Sequence, residues 1–209
     1  MKPAAIILAG GRSSRFGADK LAARLDGIPV LEHALRAVAQ VADPVVVVVS
    51  PDAPSPSVPS DLRVEVVPAR DLVAHQGPLA GLVGGLAALA SWADSEGEGA
   101  APDVVLLVAG DMPTLIPGVL DLLARVLGAD PSLGAATLET DPPTLLPSAI
   151  RASLAGPMAE TLLAADRRSL RGLLESVPSS VVPSAAWRAI DREGLTLRDI
   201  DTPEDLSGR

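Results

Sequence analysis

The chain has 209 residues, 48% hydrophobic and 21% charged, the balance of a folded globular protein and not of a disordered one. It contains no cysteine, which excludes disulfides, thiolate metal sites, iron–sulfur clusters and a cysteine nucleophile. Seventeen basic against 26 acidic residues give a net charge of −9, and only Phe16, Trp92 and Trp187 are aromatic, so neither phosphate neutralisation nor base stacking favours nucleic acid as the partner.

The apolar run Ala4–Ala9 has strand length and ends in Gly10-Gly11. It meets Arg12 and Arg15 too soon for a secretion signal. Residues Pro29 to Val41 follow helical spacing, with Leu31, Leu35 and Val38 on one face. Val45–Val49 is five valines, apolar on both faces as a buried parallel strand is. Ser50–Ser60, with four prolines and four serines, is a loop. Arg63–Val67 is a third strand candidate.

Pro78 opens a small-residue helix to about Trp92, since proline is tolerated in a first turn. The uncharged stretch Leu72–Ala93 holds four glycines and Pro78, so it reads as a loop plus a buried helix and not as a lipid-spanning segment. A soluble, cytoplasmic protein is expected. Asp103–Ala109 is a fourth strand, stopping at Gly110-Asp111, and Pro117–Leu127 a helix. Leu133–Leu138 is another strand; helical patterns follow at Pro147–Leu154, Pro157–Ala164 and Ser169–Ser176. A last strand is expected at Leu195–Ile200, before a helix start in which Thr202 caps, Pro203 takes the first position and Asp205 closes the box.

Apolar strands interleaved with helices predict an α/β sandwich around a mostly parallel sheet, with residues 1–209 as a single domain. Such sheets bind ligands beyond the carboxyl ends of their strands. After the first strand, Gly10 and Gly11 let the backbone point N–H groups at an anion, Ser13 and Ser14 add hydroxyl donors, and Arg12, Arg15 and Lys20 add charge. From Arg12 to Arg24 four cations face one acid, a local +3 in an acidic chain. This is a phosphate signal. It is neither the GxxxxGK[ST] loop nor GxGxxG. Asp111 closes an apolar strand and so places a carboxylate at the ligand edge of the sheet; the plainer reading is a cap for the Met112-Pro113 turn.

The run Leu8-Ala-Gly-Gly-Arg-Ser-Ser-Arg-Phe-Gly-Ala-Asp-Lys20 resembles the LAGGxSxRMGxDK signature of the MobA family, the molybdenum-cofactor guanylyltransferases. Gly77-Pro-Leu-Ala-Gly-Leu82 is similar to that family's GPLAGL, Gly110-Asp111-Met-Pro113 to its strand-end Asp-x-Pro, Asp166-Arg-Arg-Ser-Leu170 to its GxRSL, and Asp201-Thr-Pro-Glu-Asp-Leu206 to its NTPEDL. The resemblance spans nearly the whole chain. It implies a Rossmann-like three-layer sandwich of the nucleotide-diphospho-sugar transferase type, and a Mg²⁺-dependent transfer of GMP from GTP to molybdopterin.

The same resemblance implies that Leu8, Ala9, Gly10 and Lys20 contact the nucleotide, with Gly11, Arg12 and Ser13 in the same loop, and that Asp111 binds Mg²⁺. Lys20 and Arg15 would stabilise charge on the α-phosphate and the leaving pyrophosphate. Ser50 and, with a one-residue offset, Asp71 stand where the family meets nucleotide; Ser50 is otherwise a turn serine. Gly77, Pro78 and Gly81 serve either ligand contact or tight helix packing. Asp201, like Asp199, stands where members usually carry Asn, and either adds metal ligation or only begins a helix. Arg167, Arg168 and Arg171 either meet the acidic acceptor or form a charged helix face. Pro142-Pro143 stands where many members have His-Pro. Expected partners are GTP and molybdopterin, with contact to molybdoenzyme maturation proteins, in a monomer or weak homo-oligomer. The competing readings are a same-fold nucleotidyltransferase with another base or acceptor, and a non-catalytic nucleotide-binding maturation partner.

Overall fold

A computed structural model describes residues 2–10, 16, 19–71, 77–97 and 101–206. In chain order its elements are β1 (Ala4–Ala9), β2 (Arg24–Leu25), β3 (Ile28–Pro29), α1 (Val30–Val38), β4 (Val45–Val49), β5 (Val66–Arg70), α2 (Pro78–Glu96), β6 (Val104–Ala109), α3 (Pro117–Ala129), β7 (Ala135–Leu138), β8 (Ser148–Arg151), α4 (Ala152–Ala164), α5 (Leu170–Ser176), β9 (Ser179–Val182) and α6 (Ser184–Arg188). Short 3₁₀ turns follow at Leu195–Leu197 and Pro203–Leu206.

Among the described residues seven strands form one sheet in the order β5-β4-β1-β6-β8-β7-β9. The first four run parallel, and β8 is antiparallel to both β6 and β7. Alternating side chains divide the core in two. Ala5, Ile7, Val45, Val47, Leu106 and Val108 pack on one face against α1, α3 and the buried Trp187. Ala4, Ile6, Val46, Val48, Val105 and Leu107 pack on the other against α2, α4 and α5. This is the expected α/β three-layer sandwich, and a strand buried on both faces is why β4 is all valine.

Helix α2 lies close on the sheet because it offers no side chain at two positions. A Cβ on Gly85 would come within 2.9 Å of Ile6 Cγ2, and one on Gly81 within 3.2 Å of Leu8 Cδ2. Gly81 therefore serves packing. No helix among the described residues is long and apolar enough to cross a membrane.

Four expectations are corrected. The third strand is Val66–Arg70, not Arg63–Val67, because pairing Val45 with Val66 sets the register three residues on, and Pro68 is tolerated at a sheet edge. Residues 148–151 form strand β8 instead of a helical turn; four buried residues are too few for periodicity to separate the two. The helix that follows is continuous, runs through Pro157, and begins where Asp103 Oδ1 accepts the Ser153 N–H at 2.8 Å. Residues 195–200 are not a strand: the Asp191 carboxylate accepts the N–H groups of Leu195 (3.0 Å) and Thr196 (2.7 Å) and curls the chain. Strand β9 and helix α6 carry too weak a pattern to be read in advance.

Candidate active site

The connections diverge at the boundary of β1 and β6, one leading out to β4 and β5 and the other back across the sheet, which opens a crevice beyond their carboxyl ends. Leu8 pairs with Ala109, Ala9 with Val49, and Val49 with Arg70, so the parallel strands end level. Above them lies a cleft of about 1040 Å³, lined among others by Leu8, Ala9, Gly10, Lys20, Ser50, Pro78 and Asp111. Glycine at position 10 eases a close approach, since a Cβ there would sit 3.3 Å from both the Ser50 N and its Oγ.

At one end of the cleft the Lys20 ammonium lies 2.5 Å from Asp111 Oδ2 and 3.4 Å from Asp201 Oδ1. Local structure delivers each partner. Asp19 Oδ1 accepts the Leu21 N–H at 3.0 Å and turns the chain just beyond Lys20. Asp111 follows the buried β6, and its carbonyl accepts the Ile200 N–H at 2.9 Å. Thr114 Oγ1 donates to the Leu195 carbonyl (2.7 Å) and Thr196 Oγ1 accepts the Ile116 N–H (3.1 Å), fastening the tail to the loop after β6. Ile200 is buried with Leu25 and Val30, which leaves its neighbours Asp199 and Asp201 at the rim. Asp205 then accepts the Thr202 N–H at 2.8 Å, the expected acid of the box.

The electrostatics follow from this crowding. Burial works to lower the Lys20 pKa, but the hydrogen bonds and charges of Asp111 and Asp201 outweigh it and hold the ammonium above its ordinary value. Partial burial first, and then the charges of Asp201 and Asp111, raise the Asp199 carboxyl above the usual range. Asp111 and Asp201 thus share one ammonium, with the charge of Asp199 close by. Among the described residues no three metal-ligating side chains converge, so these carboxylates could supply only part of a divalent cation's shell beside an anionic ligand.

The structure brings Leu8, Ala9, Gly10, Lys20, Ser50, Pro78 and Asp111 to one cleft, with Asp201 joined to it through Lys20. Asp71 ends the β5 ladder, its N–H donating to the Val49 carbonyl at 2.9 Å. Gly77 caps α2 at φ 86, where a Cβ would lie 3.2 Å from the Arg168 carbonyl, so it seats the segment before α5. Arg168 pairs with Asp166 at 2.8 Å. The expected contacts Gly11, Arg12, Ser13 and Arg15 lie outside the described residues, as does His75; His33 Nε2 bonds the Leu25 carbonyl at 2.9 Å. Sequence reasoning missed the cleft residues Arg24, Glu32, Leu146 and 53–57. Two of these carried a signal: Arg24 closes the run of cations that starts at Arg12, and 53–57 belong to a proline-rich loop leaving the carboxyl end of β4.

Sheet order, crevice and paired charges together define a Rossmann-like nucleotide-binding protein. The chain belongs to the family of the MobA-like NTP transferase domain, whose profile matches residues 5–181, and is a nucleotidyltransferase. It is 28% identical over 214 residues to the probable molybdenum cofactor guanylyltransferase of Chloroflexus aggregans, covering 99% of this chain and 92% of that one. It is 30% identical over 219 residues to the probable molybdenum cofactor guanylyltransferase of Mycobacterium avium, covering 99% and 94%. The crystal structure of molybdopterin-guanine dinucleotide biosynthesis protein A from Archaeoglobus fulgidus has the same fold, with a TM-score of 0.74 at 24% identity over 97% of this chain and 94% of that one.

Proposed function

We propose that this chain transfers GMP from GTP to the terminal phosphate of molybdopterin and releases pyrophosphate. The observation that carries the reading is the Lys20–Asp111 pair at the carboxyl edge of β1 and β6, within a family of NTP transferases. The near full-length relatives named as guanylyltransferases support the choice of substrates.

In the proposed reaction an anionic oxygen of the acceptor phosphate attacks the α-phosphorus of GTP. The new O–P bond forms as the bond to the bridging oxygen breaks, and that oxygen's electron pair leaves with pyrophosphate. The attacking group is already charged, so the protein's task is alignment and charge neutralisation. Lys20, with Arg15, stabilises the charge on the α-phosphate and the leaving group. In this reading the loop of Gly10, Gly11, Arg12 and Ser13 meets the phosphates, and Leu8, Ala9, Ser50 and Pro78, which line the cleft, border the nucleotide. Asp111 and Asp201 would hold Mg²⁺, which when bound supplies a hard cation to the triphosphate oxygens. Magnesium takes one or two carboxylates plus substrate phosphates, which these two side chains satisfy.

Pyrophosphate release from each of the four nucleoside triphosphates, with molybdopterin as acceptor and Mg²⁺ present, tests the reading. GTP should be used best. Equal or better use of CTP would move the assignment to another base.

A further inference from the structure

The loop after β4 supplies residues 53–57 to the lining of the cleft, yet it has little means of holding its own shape. Residues 51–60 include four prolines, which lack an N–H, and the turn from Ala53 N to the Ser50 carbonyl (3.1 Å) is one of the few backbone bonds there. Side chains from elsewhere hold it instead. Arg70, the last residue of β5, directs Nη1 to the carbonyls of Pro51 (2.7 Å) and Ala53 (2.7 Å), with that of Ser50 at 3.5 Å. At the far end Arg36 grips both oxygens of Asp61 at 2.8 and 3.0 Å, and its own guanidinium is oriented by Glu32 at 2.9 Å.

Between these two clamps Ala53, Pro54, Ser55, Pro56 and Ser57 line the cleft. They carry no charge and present small apolar and hydroxyl surface, suited to a nucleoside and not to phosphate. They follow β4, while Asp111 follows β6, two strands away and hence about 10 Å across the sheet. That separation suits a nucleotide whose phosphates lie at Lys20 and whose nucleoside lies at the proline wall.

We infer that Arg70 is a positioning residue for nucleotide choice: by fixing the carbonyls of residues 50–53 it pre-forms the nucleoside wall without touching the ligand. The inference rests on the proposed nucleotide site. A wall that must be ordered on binding weakens affinity while leaving the phosphate end unchanged.

The test compares wild type with Arg70→Met, which keeps the stem and removes every donor, and with Arg70→Lys, which keeps a donor. Amide hydrogen exchange of residues 52–60 is measured with titration by Mg-GTP, Mg-ATP and Mg-CTP, and with steady-state kinetics. In Arg70→Met the loop should exchange faster, Mg-GTP affinity should fall about tenfold or more, and the preference among nucleotides should narrow. KM should rise while kcat stays within about twofold, and Arg70→Lys should recover part of the affinity. Unchanged exchange in the loop, or faster exchange with unaltered nucleotide affinity, overturns the role of Arg70 and leaves the site itself standing. Absence of nucleotide binding by wild type takes down the site and this inference together. If Arg70→Met does not fold, the same comparisons are read on Arg70→Lys, where unaltered exchange and affinity refute the inference.

Discussion

Two ion pairs at opposite edges of the same strand show what a charge does when it is fully answered and when it is not. Arg151, at the end of β8, pairs with Asp103 at 3.0 Å just ahead of β6 and also donates to the carbonyls of Leu127, Asp130 and Leu133. Asp103 in turn accepts the first-turn N–H of Ser153. Each nitrogen of the Arg151 guanidinium has an acceptor within the protein and its side chain is only 11% exposed, while Asp103 stands at the surface at 43%. At the other end of β6, Lys20 and Asp111 are sheltered, at 16% and 19%, but Asp201 reaches the same ammonium at 3.4 Å and Asp199 adds its charge nearby. The amino edge of the sheet is closed for stability. The carboxyl edge gathers more carboxylates than cations around Lys20.

Substitutions should separate the two edges. Asp111→Asn should lower turnover by roughly 10²–10³, the usual loss for one preorganised electrostatic group, with the melting temperature nearly unchanged. Near-normal turnover would break the comparison at its functional end. Arg151→Met should do the reverse, costing about 1–2 kcal/mol of stability, or roughly 2–8 °C in Tm for a chain of this length, with kcat/KM preserved. A large loss of activity in the folded variant would count against a purely structural amino edge.

Lys20→Ala should reduce kcat/KM by about 10–100-fold, a larger loss in free energy than any accompanying drop in stability measured by denaturant unfolding. Asp103→Ala removes a helix-start acceptor and should cost about 1 kcal/mol. Its pH dependence sharpens the point. Partial burial works to raise the Asp103 carboxyl, but hydrogen bonds from Ser153 and the Arg151 guanidinium outweigh it and hold the pKa below the ordinary value. A lowered folded pKa means its contribution is whole above the unfolded value of about 3.9 and is lost as pH falls through the folded one. The stability gap between wild type and Asp103→Ala should therefore narrow below about pH 4; a gap that widens on acidification would contradict the assignment.

Three of the four parallel strands were legible in the sequence because they are unbroken apolar runs bounded by glycine or proline, whereas β5, interrupted by Pro68 and ending in Arg70, was displaced by three residues. β1 and β4 begin and end where the runs do, and β6 differs by one residue. The far half of the sheet was not legible. β8 and β9 have four residues each, and their identity depends on which neighbour they pair with. At the site, Asp111 was visible as an acid ending an apolar strand, and Lys20 as a cation in a glycine loop. That Asp199 and Asp201 reach the same point depends on the bond from Ile200 to a carbonyl 89 positions away, which no local pattern encodes. The proline wall is fixed by arginines distant in sequence, so composition marked it as a loop and not as part of the cleft.

Titration calorimetry with GTP, in the presence and absence of Mg²⁺, tests the central claim most directly. Wild type should bind saturably and more tightly with Mg²⁺, and Asp111→Asn should lose most of that dependence on the metal. No heat with GTP or any other nucleoside triphosphate in magnesium buffer would contradict the account, as would an Asp111→Asn titration indistinguishable from wild type.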